Sequence, residues 1–304
     1  MTIVKAILAV IIMIFSAGYG VCGEGHFQPS NGKTMEQTLR EGKAEHNAKV
    51  SEMRAKLPLL KKQLAEEKRS VKREDIVDSL GRTEDAQAVA PLLEVLQNPN
   101  ESLRVRQVSV EALYRLYRPG LASSKSLSIS DKQKILAPMK AVYSREQGEL
   151  KCSLASQLYQ MGEKKSVRSG IMECLKAGRW ESLHAFYYGR VVDGVMINTA
   201  LPGEDNSSKV DEAAHELLVE ASKAGYPEEI RVKAADMLIK LGDKDAALKA
   251  VKDVAKNGKT YQYRALHLMP KIGNEEAKAS LEEARNDPKL KASVESILRW
   301  EWGK

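Results

Sequence analysis

The chain has 304 residues, of which 43% are apolar, 29% charged and only 5% aromatic, and it carries a formal net charge of +7. This composition supports a sizeable core, and its richness in Ala, Leu, Lys and Glu argues for helix and against a sheet protein. The positive charge is interleaved with Glu and Asp, so it points only weakly to anionic partners.

At the N-terminus, Lys5 precedes an apolar run over residues 6–15, and Ser16, Ala17 and Gly18 follow. A short positive region, an apolar core and small residues make a secretory signal peptide over residues 1–20. The mature chain would start at Tyr19 or Val21. The run is too short for a span of roughly 20 helical residues, though an uncleaved anchor is the alternative. Cys22 sits where a lipoprotein carries its modified cysteine, but Tyr19 departs from the small-residue pattern of such a box. Export implies a periplasmic or secreted protein, with membrane contact only through an uncleaved signal or a lipidated Cys22.

Residues 21–34, rich in Gly, Asn and Ser, read as a disordered lead. Residues 35–75 read as one long helix or cap, with Met53, Leu57, Leu60 and Leu64 on one stripe. Such a helix either covers the core of the first repeat or forms a short coiled coil. Its basic stretch, Lys61, Lys62, Lys68, Arg69, Lys72 and Arg73, is broken by Glu66 and Glu67. That is a solvated face or, less simply, a polyanion patch.

From there the sequence repeats itself about every 30 residues, with two longer gaps. Ile230, Ala234, Leu238 and Leu241 are spaced as one helix face, and Gly242 closes the unit. The same places hold Leu150, Leu154, Leu158 and Met161 before Gly162, and Tyr261, Ala265, Met269 and Ile272 before Gly273. Val105, Ser109, Leu113 and Leu116 form another copy, and Leu290, Val294 and Leu298 a truncated last one. A poorer copy starts at Trp180, with His184, Tyr188 and Val191. One such helix fills under half of the period, so a second helix precedes it in each unit, as at residues 90–96, 167–175, 246–255 and 275–284. Gly at the helix end can adopt the left-handed conformation that satisfies the last carbonyls. Asn98-Pro99-Asn100 and Asn286-Asp287-Pro288 break the chain between paired helices. Alternating strand-type stretches are not evident.

Leu80-Gly81-Arg82 followed by Asp85-Ala86-Gln87-Ala88-Val89-Ala90-Pro91-Leu92-Leu93 resembles a HEAT repeat of the phycobilisome-lyase type. Val105-Arg106-Gln107-Val108-Ser109-Val110-Glu111-Ala112-Leu113 and residues 230–242 are similar again. The likeness runs over about residues 75–302 and is weakest near 165–200. It implies an all-α protein, an α-solenoid or armadillo/HEAT-like superhelix of about six antiparallel helix pairs over residues 76–304. It does not imply lyase activity, because this repeat class serves many roles. The two long gaps become insertions at 119–131 and 193–208, loops that either vary freely or meet a partner. The second carries Val195, Met196, Ile197 and Leu201, apolar residues that need cover.

Cys152 and Cys174 lie eleven residues on either side of Glu163, the centre of a turn, so they face each other across paired helices. In an oxidising compartment they form a disulfide or, failing that, two buried thiols in contact. The five histidines show no metal spacing, and Asp211 with His215, one turn apart, lack a third ligand. No residue is assigned a catalytic role, and no metal or cofactor motif is evident. Trp300 and Trp302 either plug the last repeat or form an aromatic patch. The function expected is a non-enzymatic, protein-binding scaffold of the bacterial cell envelope, working through the surface of stacked second helices. Arg104, Arg106, Lys151, Arg231 and Lys233 are the candidate exposed contacts for a protein partner. The alternative is an enzyme or cofactor-handling protein related to lyase-type repeat proteins, with a pocket around His184, Tyr187 and Tyr188. Nucleic acid is disfavoured by export.

Overall fold

The computed structural model describes residues 35–117, 127–179, 191–192, 195–196 and 212–302. The expected signal peptide, Cys22, the lead at 21–34 and most of both insertions lie outside the described residues. The chain divides into two units, one ending at Glu163 and the other beginning at Lys164.

In the first unit, the stretch expected to be one long helix is broken twice, giving α1 (Met35–Ala55), α2 (Leu57–Glu66) and α3 (Ser70–Arg82). The first break lies at Lys56, because Pro58 in the opening turn of α2 has no N–H to continue the ladder of α1. The second lies at Glu67, whose carboxylate accepts the backbone N–H groups of Lys68 and Arg69 at 3.0 and 2.9 Å. The side chain of Arg69 also donates to it, and this bond above all holds the Glu67 carboxyl down at about 2. Leu57, Leu60 and Leu64 are buried along one face of α2.

Helix α1 buries Val50 and is also tied down by polar contacts. His46 Nε2 meets Glu84 Oε1 at 3.1 Å, and Arg54 donates to the carbonyls of Thr83 and Glu84 at 3.0 Å each. Glu84 adopts φ +48°, a conformation uncommon for a residue with a side chain.

Two further pairs follow: α4 (Val89–Gln97) with α5 (Leu103–Tyr117), and α6 (Ile129–Arg145) with α7 (Gly148–Gln160). Successive second helices pack on each other, α3 on α5 and α5 on α7, and α4 packs on α6. A 3₁₀ turn at Ala86–Ala88 precedes α4, so Pro91 falls in the first turn of that helix, where a missing N–H leaves no bond unmade. Ile129, Ser130 and Asp131, expected in the first insertion, instead form the opening of α6. Ser128 Oγ accepts the Asp131 N–H at 3.0 Å and caps the helix there.

The second unit contains α8 (Lys164–Lys176), α9 (Glu212–Ala221), α10 (Glu228–Lys240), α11 (Lys244–Asn257), α12 (Gln262–Ile272), α13 (Glu275–Ala284) and α14 (Lys291–Trp300). The pairs are α9 with α10, α11 with α12 and α13 with α14. Second helices α10, α12 and α14 pack in succession, as do first helices α11 and α13. Ile230, Ala234, Leu238, Ala265, Met269, Ile272 and Val294 line the shared seams and are buried. After α10, Gly242 takes φ +87°. Its N–H reaches the Ile239 carbonyl while that of Asp243 reaches Leu238, which closes the helix end. Glu228 fastens the next turn by accepting the N–H groups of Lys259, Thr260 and Tyr261 at 2.8–3.0 Å. In α14 the residue buried beside Val294 is Ile297 rather than Leu298, which is half-buried, and Trp300 is exposed.

Each unit is therefore a stack of helix pairs, three among the described residues of each, in the arrangement of an α-solenoid. One departure from helix occurs among the described residues. Val191–Val192 and Val195–Met196 form a two-residue antiparallel ladder, β1 and β2, with Val191 opposite Met196 and Val192 opposite Val195. The helical register places Val191 at the end of a repeat helix. The sequence here reads Val-Val-Asp-Gly-Val-Met, β-branched residues around a hairpin dipeptide, and that local signal overrides the weak helical one.

The tightest approach in the first unit is between α3 and α5. A Cβ on Gly81 would stand 2.7 Å from Ala112 Cβ and 2.8 Å from its Cα. Gly81→Val should push the two helices apart and lower stability by about 1–3 kcal/mol. Urea unfolding followed by circular dichroism measures this.

Candidate partner-binding surface

Two second helices carry an arginine just after their first buried residue, Arg106 after Val105 and Arg231 after Ile230, and both are fixed inside the molecule. Arg106, on α5, is only 7% exposed. Its Nε donates to the Leu96 carbonyl at the end of α4 (2.9 Å), and its Nη2 to Glu146 at the α6–α7 turn (2.5 Å). Arg231, on α10, is 8% exposed. It donates to the Ser222 carbonyl just past α9 (3.4 Å) and to Asp253 on α11 (2.5 Å). Arg73, on α3, repeats the pattern with the carbonyls of Leu64 and Glu67 and the carboxylate of Glu101. Gln262 is the neutral version, donating to the Ala255 carbonyl at 3.2 Å.

The expectation that Arg106 and Arg231 are exposed contacts is thus corrected. A guanidinium on a buried helix face reaches the partial negative charge of a helix C-terminus and a carboxylate of the following pair. Lys233 is half-buried and joined to Glu229 at 2.6 Å on the same helix. Lys151 is half-buried and has partners of its own. Of the five, only Arg104 stands largely in solvent, with Glu74 at 3.6 Å.

The residues that do present charge on the second helices are not evident from the sequence. Asp78 on α3 accepts Arg82 Nε at 2.7 Å and Arg115 Nη1, from α5, at 3.0 Å. Asp236 on α10 meets Lys240 Nζ and Lys271 Nζ, the latter from α12, at 3.1 Å each. Partial burial pushes both carboxyls up, but their cations outweigh it and hold them below the usual carboxylate range. The signal is a carboxylate five places after the register arginine, visible only once the arginine's own place is known.

Other polar features are occupied locally. His215 pairs with Asp243 (2.7 Å), the cap of α11, rather than with Asp211, which lies outside the described residues. His267 pairs with Glu301 at 2.8 Å. Among the described residues no group of three or more His, Cys, Asp or Glu is placed to hold a metal ion. A shallow cleft of about 430 Å³ between α2 and α3 is lined by Gln63, Glu66, Glu67, Lys72, Asp75 and Ile76. His184, Tyr187 and Tyr188 lie outside the described residues. Among those residues no helix is long and apolar enough to cross a membrane.

Cys152 on α7 and Cys174 on α8 are buried, and each is disulfide-bonded. Their pairing with each other is expected from their even spacing about Glu163. A non-reducing peptide map should show the two peptides joined, and reduction should cost about 3 kcal/mol in a denaturant titration.

The arginine placements predict a sharp contrast between near neighbours. Arg106→Ala leaves the Leu96 carbonyl and Glu146 without their donor, so it should cost about 3 kcal/mol. Arg104→Ala should stay within about 0.5 kcal/mol of the parent. Urea midpoints of the two variants check both.

No protein-family model matches the chain, and no characterised protein matches it by sequence. By structure it is similar to human deoxyhypusine hydroxylase in complex with glycerol, at 14% identity and a TM-score of 0.31, covering 88% of this chain and 90% of that one.

Proposed function

We propose that the protein is a non-enzymatic, protein-binding scaffold of the bacterial cell envelope, and that the partner lies along its second helices. The observation that carries this reading is the repetition of one surface. In each unit the second helices pack side by side, their apolar faces are consumed by the stack, and their outer faces present charged side chains in register. A surface assembled from like modules makes many weak contacts and suits an extended partner. The N-terminal signal peptide expected from residues 1–20 supports the envelope as its place.

A photo-crosslinking residue placed at Arg104 on α5, and in a second variant at Lys252 on first helix α11, tests the reading in intact cells. Mass spectrometry should identify one envelope protein joined through position 104 and not through position 252. No adduct at 104, or equal adducts at both, would overturn the proposal.

A further inference from the structure

Two large apolar side chains stand exposed among the described residues of the second unit, and both belong to its second helices. Tyr263 on α12 is 49% exposed, and Trp300 on α14 is 61% exposed. The hydroxyl of Tyr263 donates to the Lys289 carbonyl at 3.2 Å, one step before the cap of α14. Trp300 is the last of the ten residues of that helix. The two aromatic positions therefore flank a stretch of about 15 Å, the length of ten helical residues.

The repeat register turns Trp300 toward α12. It stands ten places after Leu290, as Lys271 stands ten after Tyr261. Lys271 reaches back to Asp236 on the preceding second helix at 3.1 Å. The residue after Trp300, Glu301, likewise meets His267 Nδ1 on α12 at 2.8 Å. His267 lies one turn after Tyr263, on the same stripe, and exposed Ser296 lies one turn before Trp300. The face thus carries an aromatic ring at each end, with imidazole, hydroxyl and carboxylate groups between.

Its charges are closed in pairs, Lys271 with Asp236 and His267 with Glu301, with one exception. Arg264, beside Tyr263, is exposed and forms no salt bridge among the described residues. Glu229 lies near it but is bonded to Lys233 at 2.6 Å. A guanidinium so placed offers a carboxylate two parallel donors.

We infer that this face of the second unit binds a polysaccharide strand bearing carboxylate groups, with its sugars stacked on Tyr263 and Trp300 and a carboxylate on Arg264. This is a second ligand, independent of the protein partner proposed above. An aromatic face is electron-rich, while the C–H face of a sugar ring is apolar and slightly positive, so an exposed ring stacks a sugar without a pocket. Sugar hydroxyls both donate and accept, so they can meet Glu301, His267 and Ser296 alike. Nucleic acid fits less well. Single-strand binders stack successive bases on successive rings, which this spacing does not supply, and phosphates accept but do not donate to Glu301. An acidic polypeptide offers the two rings no flat apolar face of its own.

The probe is a short fluorescein-labelled oligogalacturonate, titrated with the full chain and followed by anisotropy. Affinity should fall about fivefold in Trp300→Ala and in Tyr263→Ala, and stay near the parent in Trp300→Phe, which keeps a ring. Arg264→Gln should weaken binding and flatten its dependence on salt. Lys252→Gln, on first helix α11, should change nothing. Circular dichroism melts separate lost binding from lost fold, and Arg264→Gln still tests the face if an alanine variant unfolds. No binding, full affinity in Trp300→Ala, or equal loss in Lys252→Gln would overturn the inference. Equal affinity for labelled neutral dextran, polyglutamate or a single-stranded oligonucleotide would overturn it too. None of these results bears on crosslinking through position 104, so the scaffold reading stands or falls separately.

Discussion

The stack depends on a guanidinium buried where two repeats meet. Arg106 and Arg231 each sit one step beyond the first buried position of a second helix, Arg73 makes the same contacts from α3, and each of the three spans two tasks. One end of the group satisfies carbonyls at the C-terminal end of the helix before it, which have no partner within their own helix. The other end holds a carboxylate farther along the chain: Glu101, Glu146 or Asp253. A buried charge is tolerated only when paired and fully hydrogen-bonded, so the arginine fixes the spacing of the helices around it. A lysine could not serve both ends equally, because its donors radiate from a single point.

That constraint decides what remains for the surface. Once the register arginines are consumed, the outward charge of the second helices comes from places one and two turns farther along. Arg106 and Arg115 lie on the same helix and share a chemistry. One is sealed against Leu96 and Glu146, while the other lies across Gly81 beside Asp78. The close crossing at Gly81 serves both packing and surface, since it brings α3 and α5 near enough for one aspartate to be shared.

At the N-terminal edge the balance differs. Helix α1 buries Val50, and His46 and Arg54 hold it against the turn at Thr83 and Glu84. That turn is backed by Thr83, fully buried, whose hydroxyl donates to the Leu80 carbonyl at 2.7 Å. Among the described residues no helix pair precedes this one, and here polar anchoring stands where later pairs use leucine and valine.

Much of the architecture was legible because helical periodicity needs only local sequence. The spacing of Ile230, Ala234 and Leu238 determines a buried face, Gly242 and Gly273 determine where helices stop, and the repetition determines that pairs stack. The breaks at Pro58 and Glu67 were also written in the sequence, as was the hairpin dipeptide after Val192, but a long apolar stripe and a weak repeat masked them. What the sequence could not decide was the fate of the long cations. Periodicity assigns a side chain to a helix face. Whether a guanidinium several bonds away ends in solvent or on a carbonyl depends on which neighbour the fold brings within its reach. Tertiary structure alone therefore turned Arg106 and Arg231 inward and left Arg82, Arg115 and Lys271 to face outward.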